Sequence, residues 1–582
     1  MHVSTWFKPL LLLATTSLST SVMAASGEVT LIHLGDLHGH LVPRPDVREG
    51  GSGGTLGGLA RMYTKIEEIR ERAPNNLLIN TGDTIQGSAE VLFTRGQAII
   101  DILNQFKFDA FAPGNWDYVY GSKHFVKTFA GPNPVAPWNS IAANLYYTSK
   151  DEDPYTFFPN KGGQRVLPPY IIKQVNGLKV GILGFTTDRG PQVVGRMVAK
   201  GFIFSSGEAE FPKFIKQLRE QEKVDLLVVA SELGLSNNIR IAEEYPGIDV
   251  ILSSDMHEET RKPVVTKTGT VIVEEGQDGM MLGELRVKAE NGRMTQWHWT
   301  AHAIDDRIPE NRQIARAVRD ARKTFVSRRD FKHYVNPFNG THLQRPIDAV
   351  VGYTTIPLHR ANFSQSSLPA AIEGSSHDLL TDAFRSISHA DIGAIRGFRY
   401  GTQVAPGPIR MEDLYHFIPI GPQIGVVRIQ GRYLKRQLEN SAKGSFDPNT
   451  GAWTGGWMFG FSGLTFDFDP YQATGFRISN IRVNGKPLDP EAAYEYAGYW
   501  YANDPNMVNG CECPRLPGTF IRVVKDDSGE TLDATEVVVR YLATLPNKTV
   551  TPQLNRVRLL KPLPKPLYGF PELQPLRGSR PN

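Results

Sequence analysis

The stretch Leu31-Ile-His-Leu-Gly-Asp36-Leu-His38-Gly-His40 decides the fold. The apolar run from Val29 to Leu34 reads as a buried strand, and it ends in an Asp-x-His pair. A strand end opens into a loop, so Asp36 and His38 can turn toward one point in the crevice outside the sheet's carboxyl edge. A carboxylate beside an imidazole suits a borderline transition metal.

The same design recurs down the chain. Leu77-Leu-Ile-Asn-Thr-Gly-Asp83 is a strand, a tight turn and a carboxylate, and Phe108-Asp-Ala-Phe-Ala-Pro-Gly-Asn115-Trp116-Asp117 places an amide after another strand. Further strands are expected at Val180–Phe185, Val224–Ala230 and Ile248–Leu252. The second of these ends in Ser231-Glu232, and the third in Ser253-Ser254-Asp255-Met256-His257. An Asp in one strand-end turn is usually a turn former. Five strand ends carrying chelating groups point instead to a two-metal centre. Apolar runs alternate with amphipathic stretches, such as the helix expected over Leu59–Arg72, from Glu28 to about residue 300. That alternation argues an α/β sandwich. The Gly-rich loop at 49–58 lacks both Walker and Gly-x-Gly-x-x-Gly spacing, which excludes a phosphate cradle of those types.

At 582 residues the chain predicts two domains. A net charge of +4 gives no case for nucleic acid, while a local basic face could still attract an anionic substrate. Residues 1–25 read as a cleaved export signal: Lys8 precedes an apolar run that ends in Val22-Met23-Ala24. The expected location is the periplasm, with no membrane span. Cys511 and Cys513, the only cysteines, form a Cys-x-Cys that reads as a local loop staple. Charged residues 303–349, with Arg312, Arg316, Arg319, Arg322 and Lys323, read as an exposed linker helix with a solvated face. A second domain is expected over 350–565, with a hairpin at Val483-Asn-Gly-Lys, followed by a Pro-rich tail at 566–582.

Taken together, Asp36-x-His38, Gly82-Asp83, Gly114-Asn115, the Glu232 strand end and Asp255-x-His257 resemble the ordered motifs of the calcineurin-like metallophosphoesterases, and more closely the exported 5′-nucleotidase family. The resemblance implies a four-layer α/β/β/α metallophosphoesterase sandwich over 28–302 and a C-terminal α+β substrate domain. It also implies two divalent cations. Asp36, His38 and His257 would hold one, Asp83 would bridge, and Asn115, Glu232 and Asp255 would hold the other. The family usually has His where this chain has Glu232 and Asp255, and two carboxylates there make the site harder and favour Mn.

The family's Gly-Asn-His-Glu is here Gly114-Asn115-Trp116-Asp117. Tryptophan at that place resembles the periplasmic Sox thiosulfohydrolases, which release sulfate from a cysteine S-thiosulfonate on a sulfur-carrier protein. The resemblance makes Trp116 a catalytic residue, with Asp117 orienting it or a water, and Arg399 gripping the anion with help from Arg396. In the nucleotidases two aromatics sandwich a base, and Phe459, Phe461 and Tyr501 fall in the corresponding stretches. The substrate is therefore read as an anionic small molecule or a carrier protein, and the chain as a possible monomer. A nucleotide phosphoesterase, or a binding protein whose metal site has decayed, are the alternatives.

Overall fold

The computed structural model describes residue 1 and residues 26–47, 53–152, 157–158, 160–326, 328–359, 371–396, 403–449, 452, 458–501, 508 and 522–563. The leader, Arg399, Trp457, both cysteines and the Pro-rich tail lie outside these residues.

Two sheets face each other in the N-terminal domain. Strand Ser26–Leu34 sits in the middle of a five-stranded sheet, antiparallel to Met281–Glu290 and parallel to Asn76–Asn80. Ala110–Phe111 continues the parallel set. In the six-stranded sheet, Leu178–Phe185, Leu226–Ser231, Val250–Ser253 and Val271–Val273 run parallel, with antiparallel edges at Tyr170–Val175 and Val264–Val265.

Side-chain alternation explains why the central parts of these strands are mostly apolar on both faces. Val29 and Leu31 enter the core between the sheets, whereas Ile32 and Leu34 enter the core on the outer face. Leu226 and Val228 likewise face inward, and Leu227 and Val229 outward. A strand buried on both faces has no polar side to show. Helices Leu59–Arg72 and Gln97–Leu103 cover the first sheet, and Glu210–Lys216 and Leu235–Glu244 the second. The result is the four-layer α/β/β/α sandwich.

The connecting helix, Arg312–Val326, differs from the solvated linker expected. Ile314, Ala315 and Val318 are buried in the first domain's outer core, and Phe325 in a cluster shared with the second domain. A narrow apolar stripe is enough to dock a helix whose other faces are cationic. Arg322 Nε lies 2.6 Å from Glu90 Oε1, and its Nη2 meets Glu412 across the domain boundary. It is a half-buried tie, not part of a solvated face.

The second domain is mixed. Its main sheet runs Gly460–Ser462, Ile392–Ile395, Ala493–Trp500, Gln423–Gln430, Arg522–Val523, with helices Ser375–Ser388, Gly431–Phe446 and Ala534–Thr544 packed against it. Asn484 (φ 49°) and Gly485 (φ 78°) form the expected hairpin turn between Ile478–Val483 and Lys486–Pro487. The two domains meet beside the strand-end loops, where His40 stacks on His416 at 4.1 Å and Arg44 Nη1 donates to Asp413 Oδ1 at 3.0 Å.

Candidate metal centre

Asp36, Asp83 and Asn115 follow three parallel strands of the first sheet, and Glu232, Asp255 and His257 follow two parallel strands of the second. All six are buried. The loops are laced together: Asp36 N donates to Gly82 O at 2.9 Å, His38 N to Asp83 O at 2.9 Å, and Asp255 N to Asp36 Oδ2 at 3.1 Å. Lacing holds the backbone in costly conformations. Asp36 (φ 46°), His38 (φ 44°), Asp83 (φ 49°), Asp255 (φ 93°) and His257 (φ 61°) all lie at positive φ. Strain concentrated at one cluster is the mark of a functional site. Gly114 allows the Asp83 loop to approach, because a Cβ there would lie 2.2 Å from Asp83 Oδ1.

One ligand atom each from Asp36, His38, Asp83 and His257 lies within 4.8 Å of the others. The two Nε2 atoms are 2.9 Å apart, each is 3.5 Å from Asp36 Oδ1, and His38 Nε2 is 3.8 Å from Asp83 Oδ2. These are the edge lengths of a coordination polyhedron with bonds of about 2.1 Å. Asp36 Oδ1 has no hydrogen-bond partner among the described residues. His38 Nδ1 faces Gln86 Oε1 at 3.2 Å, so it carries the proton and Nε2 keeps its lone pair for the cluster. Burial lowers the His38 pKa, which also keeps the ring neutral and ligating. Burial, with neighbouring carboxylates adding to it, pushes Asp36, Asp83 and Glu232 well above the usual carboxylate range. A bound cation is the natural counter-charge for such a group of acids.

The second half of the site is assembled around Asn115. Its Nδ2 donates to Asp255 Oδ1 at 2.8 Å and Glu232 Oε1 at 3.5 Å, while its Oδ1 has no hydrogen-bond partner among the described residues. Two carboxylates and an amide oxygen, with the Asp83 carboxylate near enough to help raise the Glu232 pKa, form a hard donor set that fits a second divalent cation. Asp255 Oδ2 also meets the Arg189 guanidinium, which sequence reasoning missed. The available signal was position: Arg189 follows the parallel strand Leu178–Phe185, as the ligand loops follow theirs.

Two expected roles change. Asp117, expected to orient Trp116 or a water, accepts backbone N–H bonds from Thr84 (2.9 Å), Ile85 (3.1 Å) and Gly114 (2.9 Å). It clamps the Asp83 loop to the Asn115 loop. Phe461 is only 4% exposed and belongs to the second domain's core, which takes it out of the proposed base clamp. Phe459 and Tyr501 are half-buried. Trp116 is buried in the apolar cluster that also holds Phe93, Val119 and Tyr415, and its backbone N–H donates to Asp83 Oδ1 at 2.7 Å. Arg396 reaches across the domain boundary, with Nη1 donating to Gln192 O at 3.1 Å.

A buried carboxylate–imidazole cluster at the carboxyl ends of two stacked sheets defines a metal-dependent hydrolase. Residues 29–259 match the calcineurin-like phosphoesterase model, and residues 350–506 match the 5′-nucleotidase C-terminal domain. The chain belongs to the 5′-nucleotidase family of metallophosphoesterases. Among its relatives, the trifunctional nucleotide phosphoesterase YfkN of Bacillus subtilis is 20% identical over 487 residues, which cover 80% of this chain and 30% of that protein. The fold is shared with the sulfate thiohydrolase SoxB of Thermus thermophilus: TM-score 0.75, 19% identity, covering 94% of this chain and 98% of that one. It is shared also with a 5′-nucleotidase precursor from the same organism: TM-score 0.72, 21% identity, covering 92% and 99%.

Proposed function

We propose that this hydrolase is exported to the periplasm and is thiosulfohydrolase-like, releasing sulfate from a cysteine S-thiosulfonate on a carrier protein. One observation carries the reading: position 116, where the family's phosphatases place histidine, is tryptophan. An indole N–H is a hydrogen-bond donor only, so it cannot protonate a leaving alkoxide. A persulfide leaves as a stabilised anion and needs little such help. In the proposed reaction the S–S bond to the sulfonate breaks, water oxygen bonds to the sulfonate sulfur, the water's two protons pass to solvent, and sulfate and the carrier persulfide anion depart. The fold shared with a sulfate thiohydrolase is consistent with this substrate.

Asp36, His38, Asp83 and His257 would hold one cation, and Asp83, Asn115, Glu232 and Asp255 the second. When bound, two divalent cations supply Lewis acidity toward the sulfonate oxygens and a water. The oxygen-rich donor set favours Mn. The remaining work falls to the chain itself. Asp117 sets the spacing of two strand-end loops, and Trp116 packs among apolar side chains of both domains while its backbone N–H anchors Asp83. Arg399, with Arg396, would bind the anionic group.

A nucleotide is the second reading, favoured by the C-terminal domain match and by the half-buried Phe459 and Tyr501. The four-donor cluster favours either enzyme over a decayed binding protein. A panel run with Mn separates the two: AMP, bis-p-nitrophenyl phosphate and a thiosulfonate-carrying peptide, on wild type and Trp116→His. The expected result is weak AMP hydrolysis that improves in Trp116→His by part of the roughly 10²–10⁴-fold that general-acid help is worth. Turnover of the peptide should not improve. Fast wild-type hydrolysis of AMP, unchanged by Trp116→His, would refute the reading.

A further inference from the structure

Asp255 and Glu232 stand where the family usually carries imidazoles, so this half of the site carries two carboxyl groups in their place. The structure supplies a cation of its own beside them. Arg189 Nη2 meets Asp255 Oδ2, and Asp188 Oδ1 lies 3.7 Å from Arg189 Nε. The Arg189 side chain is only 16% exposed. Its backbone is anchored too. Just upstream, Asn144 Oδ1 accepts from Thr186 N at 3.0 Å and Asn144 Nδ2 donates to Thr186 O at 2.9 Å. Thr186 Oγ1 also pairs with Tyr118 Oη at 2.9 Å, and Arg189 N donates to Thr187 Oγ1 at 3.1 Å. Downstream, Gln192 O accepts from Arg396 of the second domain. Arg189 is therefore a positioned group, held between the Asn115 loop and the second domain.

We propose that Arg189 is the resident counter-charge of the Glu232/Asp255 half of the centre, and that the second divalent cation binds there in competition with its guanidinium. The two cation positions then differ widely in affinity. At the other position one ligand atom each from Asp36, His38, Asp83 and His257 already converges within 4.8 Å, and that position fills first. The second fills only when a cation takes Asp255 Oδ2 from Arg189, because a guanidinium and a divalent ion repel at that distance. Arg189 thus sets the metal concentration at which the site becomes dinuclear. This rests on the dimetal reading above.

The test is Mn binding to the metal-stripped full chain, followed by calorimetry and by electron paramagnetic resonance, which separates isolated from coupled Mn pairs. Wild type should bind one ion tightly and a second about 100-fold more weakly, with the coupled signal appearing only in excess Mn. Arg189→Gln should tighten the second site about 100-fold (about 2.7 kcal/mol) and leave the first unchanged. Arg189→Lys, which keeps the charge, should leave the second site weak, so a gap closed by Gln and kept by Lys separates charge from packing. Two ions of equal affinity in wild type, or a second site equally weak in Arg189→Gln, would overturn the proposal and leave the dimetal reading standing. A single ion in every variant at any Mn concentration would overturn both. Should Arg189→Gln fail to fold, the wild-type affinity gap and Arg189→Lys still decide, since equal wild-type sites, or a Lys variant with two tight sites, refute the competition.

Discussion

Removing the Asp117 carboxylate should loosen two ligand loops before it touches any chemical step. Its two oxygens accept three buried N–H groups, from Thr84, Ile85 and Gly114. Bonds to an ionised acceptor contribute roughly 1.5–3 kcal/mol each. Burial opposes them, pushing the Asp117 carboxyl above its ordinary range, and offsets part of that sum. Asp117→Ala should therefore cost about 3–4 kcal/mol locally, with three buried donors left unsatisfied. At about 1.4 kcal/mol per tenfold, amide hydrogen exchange at Thr84, Ile85 and Gly114 should speed up by about 10²–10³-fold. Asp117→Asn can keep an oxygen toward Thr84 and Ile85 but turns an N–H₂ toward Gly114 N, so acceleration should concentrate at Gly114. Metal affinity should fall with loop order, because Asp83 and Asn115 ride on the clamped segments. Unchanged exchange in both variants, with a fall in kcat alone, would show that Asp117 acts on the substrate or a water and that the clamp reasoning is wrong.

Asp83→Ala should abolish turnover and release bound metal, since its carboxylate lies 3.8 Å from His38 Nε2 and near enough to Glu232 to help raise its pKa; a variant retaining two ions and near-normal rates, by elemental analysis and assay, would refute a bridging Asp83. Mn should support faster turnover than Zn in the metal-stripped protein, and higher rates with Zn at equal occupancy would count against Glu232 and Asp255 as ligands. Glu284 is buried, yet hydrogen bonds from His302 and Arg72 outweigh that burial and hold its carboxyl down at about 2. A depressed carboxyl stabilises the fold fully above its ordinary 4.5 and loses that contribution as pH falls through about 2. Glu284→Gln should therefore lower the melting temperature at pH 7, at a cost of about 2 kcal/mol, and the difference from wild type should shrink in acid; a constant difference from pH 7 to pH 2 would contradict this.

The strands and the order of the polar residues at their ends were legible in the sequence because both are local. A strand buried on both faces is mostly apolar, so Val29–Leu34 and Leu226–Ala230 announce themselves even with Thr30 and His33 inside the first. A polar group set by a strand end appears within a few residues of it, as Asp36, Asp83, Asn115, Glu232 and Asp255 do. Tertiary structure alone decided what each polar group faces. Asp117 and Asp83 both accept backbone N–H bonds, but Asp117 takes three of them while Asp83 keeps Oδ2 toward His38, because only the stacking of two sheets sets which loop lies opposite. Arg322 reads as one charge in a solvated row until Glu90 and Glu412 converge on it from two domains. Phe461 and Tyr501 are both aromatic, and only packing makes the first core. Arg189 was the most hidden. A cation carries no ligand signature in sequence, and its meaning depends on Asp255, 66 residues away, meeting it across the six-stranded sheet.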